Sequence, residues 1–129
     1  VNLASASAIY GQAELAVYSA TKFFVRAMTE ALDIEWDRDG IRVIDMWPLY
    51  VATAMTDDVR TGTIDSLGIR LKPADVTDAV LAAVDAPAFR RRIHQVHFPV
   101  GLQTKVMAPV SRFLPAWVSR ALNKRLAQL

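Results

Sequence analysis

Apolar residues fall into short runs and one long periodic stretch. Val1 to Ala4 is a short, mostly apolar run that opens into the small, polar Ser5-Ala6-Ser7, which predicts the end of a buried strand entering a loop. From about Glu14 to Arg38 apolar residues recur in steps of three and four at Val17, Ala20, Phe24, Met28, Leu32 and Trp36, one stripe of a helix. Phe23, Val25, Ala27 and Ile34 widen that stripe until most of the helix is expected to be buried, with Trp36 in the core. Gly40 supplies the stop. Ile41 to Trp47 then reads as a strand closed by Pro48, with Trp47 also in the core. Strand, helix and strand with short connections predict a crossover and a parallel pair, whose ligand sites lie outside the carboxyl ends of the strands. Those ends are Ala4-Ser5 and Trp47-Pro48.

Leu49 to Arg70 is mixed, contains Gly62 and Gly68, and is expected to be a loop with short helical pieces that closes over a site. A helix is predicted from Pro73 to Val84, with Pro73 in its first turn and Asp75 and Asp78 near its positive end; Pro87 follows it. Ile93 to Phe98 has strand character, stopped by Pro99-Val100-Gly101. The remainder reads as one or two basic amphipathic helices broken by Pro109 and Pro115. The fold class is therefore α/β with a parallel sheet and a helical tail.

Charge sharpens the division. Up to Asp85 there are 7 basic and 13 acidic residues; from Ala86 onward there are 8 basic and none acidic. A split of this kind marks an interaction tail. With 53% apolar and 22% charged residues the chain is globular, and without cysteine it has no disulfide scaffold, thiolate metal site or cysteine nucleophile. Lack of cysteine is compatible with a reducing, cytoplasmic compartment.

The residues that carry chemistry are Ser5, Tyr18 and Lys22. Tyr18 and Lys22 stand four apart, on one helix face about 6 Å from each other. A neighbouring ammonium stabilises a phenolate, so the pair suits a tyrosine acid or base, while Ser5 at the strand's carboxyl end can hold a carbonyl or alkoxide oxygen. Chance gives a tyrosine four before a lysine about one time in ten, and adding a serine at one fixed position lowers this to roughly one in two hundred. Ser7 is a weaker rival for the oxygen-binding role. Tyr10 either lines a substrate pocket or packs internally. His94 and His97 are placed in one strand, three apart and so on opposite faces, against a shared metal site. Asp57-Asp58 reads as solvated loop charge, and no metal site is expected.

These residues resemble those of the short-chain dehydrogenases/reductases. Asn2-Leu3-Ala4-Ser5 is similar to the family's Asn-x-Ser-Ser strand end, and Tyr18-Ser19-Ala20-Thr21-Lys22 to its Tyr-x-x-x-Lys signature, at the 13-residue Ser-to-Tyr spacing of the single-domain branch. Gly11 matches a glycine common in the intervening loop, and Trp47-Pro48-Leu49-Tyr50-Val51-Ala52-Thr53 resembles the strand entering its Pro-Gly-x-x-x-Thr turn, with Leu49 where the glycine falls. The resemblance implies a Rossmann-like doubly wound parallel sheet and hydride transfer between NAD or NADP and a carbonyl or alcohol carbon. It implies that Tyr18 is the proton donor or acceptor, that Lys22 lowers its pKa and bonds the nicotinamide ribose, and that Ser5 orients the substrate oxygen. Tyr18, Lys22, Pro48, Val51 and Thr53 would then contact the cofactor, Val51 through its backbone and Thr53 through its side chain.

In that family the Gly-rich cofactor loop lies well before the catalytic serine, whereas the five glycines here are isolated and form no phosphate loop. With Val1 as the first residue, the chain is expected to be the carboxyl half of a longer protein and inactive alone: residues 1–100 the second half of the catalytic domain, 101–129 a basic tail. The resemblance also implies a small carbonyl or alcohol substrate and homo-oligomerisation through the long helix. Three readings stand for the tail: a helix packed on its own domain, a subunit contact, or a peripheral contact with an anionic membrane. No nucleic-acid motif accompanies its charges. A non-catalytic interaction module is the alternative of another class. An epimerase or dehydratase is a nearer one, against which the 13-residue spacing argues.

Overall fold

A computed structural model describes residues 1–57 and 59–129. Three strands, β1 (Asn2–Leu3), β2 (Asp45–Pro48) and β3 (His97–Val100), form one parallel sheet in the order β1-β2-β3. Asn2 registers with Asp45, and Asp45 in turn with His97. The helices are α1 (Ala16–Trp36), α2 (Ala54–Asp57), α3 (Gly62–Leu67), α4 (Pro73–Val84), α5 (Ala88–Arg92), α6 (Leu102–Ser111) and α7 (Ala116–Leu126). The crossover β1-α1-β2 and the helix Pro73–Val84 are present as the pattern predicts, although β2 begins at Asp45, four residues after the predicted Ile41, and includes Pro48 as its last residue. Gly40 takes φ 71° just past a 3-10 turn at Asp37–Asp39, a conformation glycine adopts without strain.

Alternation along β2 and β3 divides the core into two unlike faces. Ile44, Met46, Phe98 and Val100 point to one side and meet Val76, Ala79, Val80 and Ala83 of α4. On the other side stand Asp45, Trp47 and His97, and there α1 docks through polar groups. Ser19, Lys22, Arg26, Thr29 and Asp33 form a stripe of steps three and four along α1. Lys22 Nζ donates to the Leu3 carbonyl at 3.0 Å, Arg26 Nη1 to the Ala8 carbonyl at 3.0 Å and Asn2 Nδ2 to Thr29 Oγ1 at 3.0 Å. Asp33 Oδ1 accepts from the Val43 amide at 3.0 Å, and Ser19 Oγ from the Gln12 amide at 3.0 Å.

This corrects the expected burial of α1. Its apolar stripe faces outward, with Val17, Phe24 and Ile34 exposed by 81%, 66% and 78%, and Trp36 is exposed rather than core. Trp47 is buried as expected. The polar stripe faces inward because its side chains pair with backbone groups of Leu3, Ala8 and Val43, at the edge strand and beside the strands.

His97 ties this face together. Its Nδ1 lies 2.7 Å from Asp45 Oδ1 and its Nε2 lies 2.8 Å from Glu30 Oε1, so each ring nitrogen faces a carboxyl oxygen at hydrogen-bonding distance. Trp47 stacks on the imidazole at 4.5 Å, and the Arg26 guanidinium lies 5.0 Å from the Trp47 ring. His94 lies outside the strand, at φ 47°, so the two histidines do not occupy opposite faces of one strand.

Two prolines also depart from expectation. Pro99 lies within β3 instead of ending it, at an edge strand where the ladder bonds to β2 use neighbouring residues. Pro109 lies inside α6, one turn from its end, and does not break it; Pro115 does separate α6 from α7. The segment 49–70 contains the short helices α2 and α3, as expected for that stretch; Asp58 of the Asp57-Asp58 pair lies outside the described residues.

Two outcomes follow. A Cβ at Gly62 would meet the Ala127 carbonyl oxygen at 2.1 Å, so Gly62→Ala should lift the end of α7 and cost on the order of 1–3 kcal/mol. Gly11→Ala, with nothing within 4 Å, is the control, and equal melting of both variants would refute this. Burial opposes ionisation of the Glu30 carboxyl, but Arg26 and His97 outweigh it and hold its pKa below 4.5. A depressed carboxylate stabilises the fold above its unfolded pKa and loses that contribution as pH falls through the folded one. Glu30 is about half exposed, so the effect should stay below ~1 kcal/mol, and Glu30→Gln should show a shallower acid decline in melting temperature than the parent.

Candidate active site

The carboxyl ends of β1 and β2 open on a cavity of about 190 Å³. Ser5, Tyr18, Pro48, Tyr50, Val51 and Ile64 are among the residues that line it. Ser5 follows β1 directly and caps the 3-10 turn Ala6–Ala8, its Oγ accepting from the Ser7 amide at 3.1 Å. The cap fixes the oxygen, while the hydroxyl proton has only distant acceptors, the Pro48 carbonyl and Ser7 Oγ, both at 3.4 Å. A substrate oxygen can therefore compete for that proton.

Tyr18 comes in from the first turn of α1. Lys22, one turn on, is anchored by the Leu3 carbonyl with its Nζ 5.4 Å from the Tyr18 ring centroid. Partial burial lowers the pKa of this ammonium. Lys22 does not line the cavity but stands behind Tyr18. Burial raises the phenol pKa of Tyr10, and burial together with the neighbouring Tyr10 raises that of Tyr50. Both remain neutral phenols.

The turn after β2 is closed by its own hydroxyls. Val51 forms a parallel bridge with Leu71 in which the Ala52 amide donates to the Leu71 carbonyl at 2.8 Å. In that pattern the backbone groups of Val51 itself point away from Leu71. The Val51 carbonyl accepts from Thr56 Oγ1 at 2.9 Å and is 3.4 Å from Thr53 Oγ1. Thr53 is exposed and outside the cavity lining. Ser5, Tyr18, Pro48 and Val51 are thus brought to one cavity, with Lys22 and Thr53 adjoining it.

Sequence reasoning missed Gln12. It is buried, accepts the Ser7 hydroxyl at 2.9 Å through Oε1, and donates through Nε2 to the Tyr50 hydroxyl. Ser7, set below Ser5 on spacing, is the link between Ser5 and this amide. No local signal marks Gln12, because its partners come from positions 7, 19 and 50.

A parallel α/β sheet with a serine at one strand end and a tyrosine–lysine pair on the crossover helix defines a class of dinucleotide-dependent oxidoreductase domains, and comparison with known proteins agrees. The family model described as short chain dehydrogenase matches residues 1–63. The chain is 35% identical over 88 residues to an uncharacterised oxidoreductase of Staphylococcus epidermidis, covering 68% of this chain and 36% of that one. It is 31% identical over 118 residues to a very-long-chain 3-oxoacyl-CoA reductase of Bos taurus, covering 92% of this chain and 34% of the relative. The crystal structure of a short chain dehydrogenase from Burkholderia cenocepacia J2315 in complex with NADP superposes with a TM-score of 0.73 at 25% identity, over 97% of this chain and 46% of that one. The chain belongs to the short-chain dehydrogenase/reductase family, and its sheet is part of a Rossmann-like fold. It spans about a third of the length of the curated relatives it matches.

Replacing Gln12 by leucine strands the Ser7 hydroxyl and the Tyr50 phenol. Gln12→Leu should cost about 1–3 kcal/mol for the groups left unpaired. An unchanged denaturant midpoint would show that water replaces the amide.

Proposed function

We propose that the chain supplies the serine, tyrosine and lysine of an NAD(P)-dependent oxidoreductase acting on a carbonyl or alcohol. The observation that supports this most is the shared cavity of Ser5 and Tyr18 at the carboxyl edge of the sheet, with Lys22 fixed behind the phenol. In the reductive direction Ser5 Oγ donates to the substrate oxygen and holds it beside Tyr18. The Tyr18 hydroxyl gives its proton to that oxygen as negative charge develops, and the Lys22 ammonium favours the phenolate left behind. Working near neutral pH asks for a drop of about three units from the tyrosine reference, roughly 4 kcal/mol of differential stabilisation.

The residues present fit the nicotinamide end of a dinucleotide. Val51 turns its backbone groups away from Leu71, Pro48 and Tyr18 line the same cavity, and Lys22 and Thr53 stand behind Tyr18 and Val51 without lining it. The bound cofactor supplies or accepts the hydride. Its pyrophosphate has no Gly-rich cradle among these 129 residues, so we assign that part to residues preceding Val1 in a longer protein, without which the chain is inactive. NAD and NADP are both accommodated by this reading. Two relatives, the very-long-chain 3-oxoacyl-CoA reductase and a 3-alpha-(or 20-beta)-hydroxysteroid dehydrogenase of Mycobacterium tuberculosis that is 34% identical over 82 residues, support a carbonyl or alcohol as substrate class.

One observation favours a second role for the chain as an association module. The outward apolar face of α1, through Val17, Phe24 and Ile34, suits pairing of two copies about a two-fold axis.

Tyr18→Phe in the complete protein should lower kcat by about 10²–10⁴ while leaving the melting temperature within a degree or two. Near-normal turnover would falsify the proton-transfer role of Tyr18, whereas no turnover in the complete parent protein would favour the association reading.

A further inference from the structure

The two carboxyl-terminal helices are fixed to the body through one face each. On α6, Thr104 is buried and Gln103 Nε2 donates to the Leu67 carbonyl at 3.1 Å. On α7, Asn123 donates to the Gly11 carbonyl, and the Leu126 carbonyl accepts from Ser66 Oγ at 2.7 Å. The tail thus packs on its own domain, but only by these inner faces.

The outer faces combine apolar and cationic side chains. Leu102, Val106, Pro109 and Phe113 recur in steps of four, three and four, an exposed stripe along α6 that runs into the turn before α7. Trp117 stands four residues further on, in the first turn of α7, and Pro115 lies between the two aromatics. Phe113 and Trp117 are exposed by 86% and 74%. Arg120 and Lys124 follow Trp117 in steps of three and four, so they continue its side of the helix. Arg112, Arg120 and Lys124 are exposed, and none makes an ion pair among the described residues. From Ala86 onward the sequence holds no acidic residue to neutralise them. The other outward apolar face, that of α1, has the opposite character: Ala16 to Asp39 carries five acidic and three basic side chains.

We propose that the corner where α6 passes into α7 binds the surface of an anionic lipid bilayer, with Phe113 and Trp117 entering the headgroup layer and Arg112, Arg120 and Lys124 meeting lipid phosphates and carboxylates. A membrane span takes about 20 apolar residues, and helices of 10 and 11 residues bearing cations lie in the plane of the interface instead. Aromatic rings settle at headgroup level, where one side is apolar and the other wet. Each cation close to an anionic surface strengthens binding by about fivefold. A second copy of the chain is disfavoured as occupant, because it would set one all-positive segment against another. The contact needs neither cofactor nor turnover, so it stands apart from the oxidoreductase reading.

The test is flotation of the purified chain with vesicles of phosphatidylcholine containing roughly one quarter phosphatidylserine, beside vesicles of phosphatidylcholine alone. The mixed vesicles should carry the protein at about 0.1 M salt and release most of it at about 1 M, where screening shortens from about 10 to 3 Å. Neutral vesicles should carry at least about tenfold less. Phe113→Ser and Trp117→Ser should each weaken binding to the mixed vesicles by about tenfold, and circular dichroism checks that they fold. Should either misfold, Arg120→Gln combined with Lys124→Gln decides: it should weaken binding by about twentyfold. Phe24→Ser, on the exposed face of α1, should bind as the parent does, which separates this surface from general stickiness. No flotation of the parent, equal flotation with neutral vesicles, or an equal loss in Phe24→Ser would overturn the proposal and leave the corner to an acidic protein or a second copy.

Discussion

A carboxyl group with no exposed surface lies in the middle strand of this sheet, and the arrangement of the layers depends on how it is paired. One Asp45 oxygen lies 2.7 Å from His97 Nδ1, while the other, Oδ2, has no partner among the described residues. A buried polar group of this kind is tolerated only when hydrogen-bonded, and removing its partner costs about 1–3 kcal/mol. His97 is held in turn by Glu30 of α1 and by the Trp47 ring, so strand, neighbouring strand and helix share one interaction. It orients α1: the helix must present Glu30 and Arg26 to the sheet, and its polar stripe follows.

The elements were legible in the sequence to different degrees. The strand–helix–strand unit and the helix at Pro73–Val84 stood out because periodicity and stop residues agree there. The face of α1 was not legible. An apolar stripe ordinarily means core, and here the opposite stripe is the one with geometrically fixed partners, which are Leu3, Ala8 and Val43 backbone groups at a distance in sequence. The strand placed at Ile93–Phe98 lies four residues later because Ile93 and His94 complete the turn after α5.

The candidate site divides the same way. Tyr18 and Lys22 lie one helical turn apart, so their spacing alone carries their adjacency. Ser5 was legible from its place at a strand end. Gln12 and Tyr50 were not, since they meet through a contact between two loops whose paths only the folded sheet determines. Thr56 also shows how the turn is closed with Leu49 in the family's glycine position: its hydroxyl bridges Val51 and Thr53, bracing the backbone from within.

Pro99 gives the sheet a direction. The Asp45 amide bonds the Val96 carbonyl, so in β3 the residues in register with Asp45 and Trp47 turn their own nitrogens to the outer border. At Pro99 that border lacks a donor, and a strand added there would lose a rung. A strand added at that border is therefore disfavoured. At the opposite border the Leu3 carbonyl is already held by Lys22 Nζ, so the two sides of the sheet are closed by different means, a missing donor on one and an occupied acceptor on the other.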